Sequence, residues 1–270
     1  MSHTPNPPDI NAIGRWLTTD DVQELAELWK LADATRRQFV GDDVHLRGLV
    51  EVSNRCARNC LYCGIRAGNT HLQRYLMTAE EVVACARKAV EVGFGTLVLQ
   101  AGEDAGIDGR WMADIIRQVK AETGLAITLS LGERNEQDYR LWREAGADRY
   151  LLRFETGNQR LFDTIHPPLP GENSDRLAIL QLLREVGYEV GSGVMVGFLG
   201  RALRPWRRTS IGFRSLDLDM IRVGPYIPHP DTTLARKGER LMLPRGEQVP
   251  IRWRWATECW HWPTFGLPAG

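Results

Sequence analysis

Short β-like runs and amphipathic helical runs take turns along most of this chain, and that alternation limits it to a parallel sheet with helices packed outside. From Thr19 to Val40 the apolar residues Val22, Leu25, Ala26, Leu28, Trp29 and Leu31 recur at helical spacing. Strands are then predicted at residues 46–52, 96–100, 126–131, 149–153, 189–196 and 219–223, with helices between most of them at 111–120, 136–144 and 175–186. Another helix opens at Thr78-Ala79-Glu80-Glu81, a capping-box match. It carries Val82, Cys85, Ala86 and Ala89 on its apolar face and stops at Gly93. The fold class is therefore α/β, a (β/α) barrel or a doubly wound sheet, with function at the loops that follow the strands. Six strands are two short of a closed eight-stranded barrel.

At 270 residues, 43% apolar and 25% charged, the chain can bury one large core. Lys and Arg balance Asp and Glu at 34 each, so no overall field favours nucleic acid or an anionic membrane; a small substrate is expected. The start MSHTPNPPDINAIG is polar and Pro-rich, no apolar run approaches a membrane span, and a cytoplasmic location is expected. Of five cysteines, Cys56, Cys60 and Cys63 fall within one short segment. That is a poor disulfide framework and argues for metal or catalysis.

The run Cys56-Ala-Arg-Asn-Cys60-Leu-Tyr-Cys63 puts three soft thiolates on one loop, close enough to hold three corners of an iron–sulfur cube. The fourth iron would then be open to chelate S-adenosylmethionine, and an electron from a [4Fe–4S] cluster would cleave the sulfonium to a 5′-deoxyadenosyl radical. The alternative is a zinc staple with His71 as fourth ligand, although His71 lies outside the usual short spacing. Cys85 reads as a core residue, and Cys259 carries no assigned role. C-x3-C-x2-C with Tyr62 before the last cysteine resembles the signature of the radical SAM superfamily.

In a barrel, the polar residues after each strand should gather at the mouth with this loop. Gln100-Ala-Gly102-Glu103-Asp104 follows the second strand; its glycine admits a ligand to the backbone and a carboxylate there could receive an ammonium group, unless the segment is a solvated turn. Thr128, Ser130, Gly132 and Glu133 end the third. Arg149, Arg153 and Glu155 alternate along the fourth and so share a side, the lumen of a barrel, as ligands or as a structural Arg–Glu pair. Arg176, near a helix start, could meet the carboxylate of the cofactor. The fifth run, Gly191-Ser-Gly193-Val-Met-Val-Gly197, is too glycine-rich for an ordinary strand unless something approaches its backbone closely. After the sixth, three prolines stiffen a loop that presents His229 and Asp231.

Taken together, VSNRCARNCLYCGIRAGN, RYLMTAEE, LVLQAGED, ITLSLGER, GADRYLLRFET, GYEVGSGVMVG and GPYIPHPDT resemble the HydE family of radical SAM [FeFe]-hydrogenase maturases. The resemblance implies a (β/α)8 TIM-type barrel, a [4Fe–4S] cluster on Cys56, Cys60 and Cys63, and S-adenosylmethionine contacts from Tyr62, Gly102, Glu103, Arg153, Glu155 and Arg176. It places Thr128, Ser130 and Arg149 toward the substrate cavity. It also implies a small organometallic substrate, a cysteine-bound iron carbonyl cyanide from the maturase HydG, delivery toward HydF, and an electron donor such as ferredoxin or flavodoxin. The family usually has histidine where this chain has Phe154, and no cysteine set for a second cluster is evident. Biotin synthase and methylornithine synthase share the loop and barrel and are the alternative relatives; a zinc-stapled binding protein or an inactive truncated product are alternatives of another class.

Two segments leave the family pattern, residues 198–212, rich in arginine and carrying Trp206, and 243–270, which holds four of the nine tryptophans without strand or helix periodicity. Both read as translated out of frame. The expected organisation is a helical extension over 1–45, a barrel core of about six βα units over 46–242, and an aberrant tail over 243–270. Such a barrel would have an open edge and lack one wall of its cofactor pocket.

Overall fold

The structure, a computed structural model, describes residues 10–196, 209, 212–213 and 215–236. The order is α1 (Ile10–Thr18), α2 (Val22–Phe39), β1 (Gly48–Ser53), α3 (Ala79–Glu91), β2 (Thr96–Ala101), α4 (Gly109–Thr123), β3 (Ala126–Ser130), α5 (Glu136–Ala145), β4 (Arg149–Leu151), α6 (Gln159–Ile165), α7 (Arg176–Val186), β5 (Glu189–Val196), β6 (Met220–Pro225) and α8 (Thr233–Arg236). The six strands form one parallel sheet, as the alternation requires, and run in chain order, as in a barrel and not a doubly wound sheet. Among the described residues β1 and β6 are its edges. The sheet curls like part of a barrel, bringing Arg47 at the foot of β1 within 3.3 Å of the Met220 sulfur at the foot of β6. No described helix is long and apolar enough to cross a membrane.

Local chemistry sets the boundaries. Thr78 and Glu81 form the reciprocal capping box of α3, and Asp108, Asn135, Asn158 and Asp175 accept N-terminal amide bonds of α4, α5, α6 and α7. Leu97, Leu99, Ile127, Leu129, Tyr150 and Val190 are buried against the helices. Strand alternation turns Val98, Gln100, Thr128, Ser130, Arg149 and Leu151 the other way, into the lumen. Beneath the outer layer Tyr150 stacks with Trp142 at 6.5 Å and meets Tyr139 edge-on at 5.0 Å. The Trp142 indole N–H donates to the Gly109 carbonyl at 2.8 Å, so this aromatic knot is also polar-satisfied.

One expectation is corrected: the fourth strand is shorter than its sequence pattern. β4 leaves the regular ladder after Leu151, then touches β5 again where the Glu155 N–H donates to Gly193 O at 3.0 Å, with Glu155 at φ 59°. Helix α6 is too short to show periodicity, and α1 precedes the 19–40 stretch, which is α2. The close approach expected at the glycine-rich β5 comes from its neighbour: a Cβ on Gly193 would lie 2.3 Å from the Arg222 carbonyl oxygen of β6. Segments 198–212 and 243–270, with Trp206 and Cys259, lie outside the described residues except for Thr209 and Gly212.

Candidate active site

The cysteine loop leaves the top of β1 and is held from four directions. Arg74 donates to the carbonyls of Asn54, Ile65, Arg66 and Asn69 at 2.5–3.0 Å, tying both ends of the loop to one guanidinium. Leu61 N–H donates to Ile165 O of α6 at 2.8 Å and Leu234 N–H to Leu61 O at 3.2 Å, so α6 and α8 brace its middle. From the end of β2, Gly102 lies so close that a Cβ there would be 2.3 Å from Arg55 O and 2.7 Å from the Cys56 Cβ.

All three cysteines are free thiols, Cys60 buried and the others half-buried. Burial, reinforced by Cys63 and Cys56, pushes the Cys60 thiol well above its ordinary range, and burial likewise raises Cys56 and Cys63. Backbone N–H groups of Arg58 and Glu103 reach the Cys56 sulfur and that of Ile65 the Cys63 sulfur. Three neighbouring thiols in a poorly hydrated place become thiolates together only against positive charge, which bound iron would provide.

Beside the loop runs a buried ionic network. Arg58 binds Glu103 through Nε at 2.5 Å and Glu133 through Nη2 at 3.1 Å. Arg176 binds Glu133 through Nε at 2.7 Å, Arg153 O through Nη1 at 2.5 Å, and Glu103 and the His166 Nε2 through Nη2 at 3.0 and 2.9 Å. Burial alone would raise the Glu133 carboxyl; His166 beside it, the Arg176 guanidinium and the Ser174 hydroxyl, at 2.6 Å, prevail and hold it at about 2. Glu103, Glu133 and His166 have metal-ligand spacing, but Arg58 and Arg176 already neutralise that group.

The expected cofactor residues converge here. Tyr62 OH lies 3.4 Å from the Glu155 carboxylate, Arg153 pairs with the same oxygen at 3.3 Å, and Arg176 joins Glu103 to Arg153. Arg176 is buried. Neither carboxylate after β2 stands ready for an ammonium group. Glu103 is engaged by two guanidiniums, and Asp104 accepts from Ser53 Oγ at 2.5 Å and Gly106 N–H at 2.8 Å. Thr128 and Ser130 face the lumen. Arg149 does too, but at the foot of β4, where it pairs with Glu189 instead of joining Arg153 and Glu155. His229 lies against Gly64 and the Asp231 carbonyl accepts from Arg66 at 3.4 Å, so the proline-rich loop does reach the cysteine loop. His71 is exposed, Cys85 packs against the core, and buried Phe154 packs on Phe213 at 5.4 Å.

Sequence reasoning missed Arg58, Arg74 and His166 as members of the site and gave Glu133 a place at a strand end but no role. Arg58 lies inside the cysteine motif and Glu133 in the LSLGER run, so position alone could have flagged them. His166 had no such signal.

The residues fit an iron–sulfur cluster with S-adenosylmethionine. The donor set is three soft thiols on one loop, and two buried polar atoms nearby lack a hydrogen-bond partner, Arg58 Nη1 and Glu155 Oε2. An unpaired donor and an unpaired acceptor in one site suit a ligand bearing both a carboxylate and an ammonium group. Residues 50–209 match the sequence profile of the Radical SAM superfamily. The chain belongs to that superfamily. Within the radical SAM enzymes it is 49% identical over 214 residues to the [FeFe] hydrogenase maturase subunit HydE of Thermotoga maritima, covering 78% of this chain and 61% of that protein. It is 27% identical over 238 residues to 3-methylornithine synthase of Methanosarcina acetivorans, covering 87% and 66%. The radical SAM fold is also that of the crystal structure of methylornithine synthase (PylB), at TM-score 0.80 and 26% identity over 88% of this chain and 69% of that one. The chain thus spans about three fifths of the length of that HydE.

Proposed function

We propose that this chain is a HydE-type radical SAM maturase acting in assembly of the [FeFe]-hydrogenase H-cluster. The observation that carries this reading is the 49% identity to HydE, against 27% to the methylornithine synthase of similar fold. Cys56, Cys60 and Cys63 would hold three irons of a [4Fe–4S] cluster. When bound, the cluster and S-adenosylmethionine supply one-electron cleavage of the sulfonium and hence radical chemistry. Tyr62, Gly102, Arg153 and Glu155 would line the cofactor, Gly102 by letting the backbone come close. Glu103 holds Arg58 and Arg176 in place, and Arg176 in turn fixes the Arg153 carbonyl. Thr128, whose buried hydroxyl lacks a hydrogen-bond partner, would face a small organometallic substrate with Ser130 and, from the lumen foot, Arg149. HydG and HydF would be the partner maturases and a ferredoxin or flavodoxin the electron donor.

The same reading treats 1–45 as an extension, 46–242 as the barrel core, and 198–212 and 243–270 as out-of-frame segments. The nucleotide sequence tests that last point: single-base shifts must restore the family pattern there. Function is tested by anaerobic reconstitution with iron and sulfide followed by an assay for 5′-deoxyadenosine, on the given and frame-corrected chains. A four-iron EPR signal with cleavage of S-adenosylmethionine is expected. A colourless protein holding zinc and cleaving nothing overturns the reading. Neighbouring biotin or pyrrolysine genes, in place of those for hydrogenase, HydG or HydF, would redirect it to another radical SAM enzyme.

A further inference from the structure

His166, at the C-terminal end of α6, is buried: Nδ1 lies 2.9 Å from the Cys60 sulfur, with the Tyr62 hydroxyl farther off at 3.5 Å, and Nε2 lies 2.9 Å from Arg176 Nη2. The hydrogens of Arg176 settle which nitrogen carries the proton. Its Nε hydrogen goes to Glu133, Nη1 serves the Arg153 carbonyl, and Nη2 has two hydrogens for two neighbours, Glu103 Oε1 and His166 Nε2. A guanidinium has no acceptor, so His166 Nε2 must present its lone pair. The carboxylates of Glu133 and Glu103 stand 3.7 and 3.9 Å from Nε2, beyond hydrogen-bond reach, and do not compete for a proton there. The imidazole proton is therefore on Nδ1, aimed at the Cys60 sulfur.

The ring is also held in plane. Phe162, one turn earlier on α6, stacks on it at 4.8 Å, and the Arg176 guanidinium lies 5.3 Å over the other ring, Phe162. Phe162, His166 and Arg176 thus form one packed unit, joined to the cysteine loop by the contact of Nδ1 with the Cys60 sulfur.

We propose that His166 is a positioning residue for the cluster: its Nδ1–H donates to the Cys60 sulfur, fixes the rotamer of that ligand, and raises the reduction potential of the iron–sulfur centre. An N–H directed at a ligand sulfur stabilises the more negative, reduced state more than the oxidised one, one of the known ways a protein tunes such a centre. The inference rests on the proposed cluster at Cys56, Cys60 and Cys63.

The test is an EPR-monitored redox titration of the reconstituted full chain and of His166→Leu, His166→Gln and His166→Asn. An asparagine amide N–H falls near the position of Nδ1, whereas a glutamine amide falls near that of Nε2. Leu and Gln are expected to shift the midpoint to more negative potential, and Asn to keep it near that of the parent. Equal potentials in all four proteins, or an Asn shift as large as the Leu shift, overturn the inference while leaving the cluster assignment standing. Failure of the unaltered chain to assemble a four-iron centre overturns both. If Leu takes up no iron, the Gln and Asn pair decides: Gln shifted and Asn unshifted supports the inference, and any other ordering overturns it.

Discussion

Gly102→Ala tests how the end of β2 is joined to the cysteine loop. The new Cβ would lie 2.3 Å from the Arg55 carbonyl oxygen and 2.7 Å from the Cys56 Cβ, both under the 3.0 Å that real Cβ contacts respect. Neither obstacle is the end of a flexible side chain; one is backbone and the other the first carbon of a cluster-ligand candidate. Relief must come from moving the loop or β2, and β2 is pinned by parallel neighbours on both sides. Overpacking of this kind costs about 1–3 kcal/mol. The movable partner is the loop, so the displacement should also appear in metal uptake. The matched control is Gly95→Ala at the opposite end of the same strand, where a Cβ meets nothing within 4 Å; it should be neutral or stabilising by a few tenths of a kcal/mol up to about 1 kcal/mol. Urea denaturation of the cluster-free proteins gives the stabilities, and iron and acid-labile sulfide per chain after reconstitution give the uptake. Gly102→Ala with the stability and iron content of Gly95→Ala would refute the claim that β2 abuts the cysteine loop.

Three further expectations follow from the ionic network and its scaffold. The Glu133 carboxyl is depressed to about 2 from 4.5, so it adds stability that is fully present above about pH 4.5 and lost as pH falls through 2. Acid titration of stability in Glu133→Gln should therefore be shallower across that window than in the parent, and an identical acid limb would contradict the assignment. Arg176→Met leaves Glu103 and Glu133 to share Arg58 alone and should cost about 3 kcal/mol in urea denaturation, part of which the double substitution with Glu133→Gln should restore. Arg74→Ala removes four charge-assisted bonds to loop carbonyls and should lower stability by about 3 kcal/mol while iron uptake falls; unchanged uptake would show that the loop holds its shape without Arg74.

The fold was readable wherever a periodicity had room to declare itself. α3 starts at its capping box, and five strands begin within two residues of their expected starts while β5 matches at both ends, because side-chain alternation and capping are local properties. α6 spans too few residues for a period, and β4 kinks at Glu155, whose positive φ no sequence pattern announces. In the site, the cysteine spacing and the polar residues at the strand ends were legible for the same local reason. The engagement of Glu103 and Asp104 was not, since Arg58, Arg176 and Ser53 meet them across separations of dozens of residues.

By itself the sequence determined the superfamily, the parallel α/β plan and the trio of thiols, because motif spacing, strand alternation and helix capping act within a few residues along the chain. Tertiary structure alone decided which charges neutralise one another and which nitrogen of His166 carries a proton. Those outcomes depend on distances between residues that only folding brings together, and on burial that makes each unpaired charge costly. Arg176 shows the difference: unremarkable at a helix start in sequence, it becomes in the fold the guanidinium that joins Glu103, Glu133, Arg153 and His166 beside the cysteine loop.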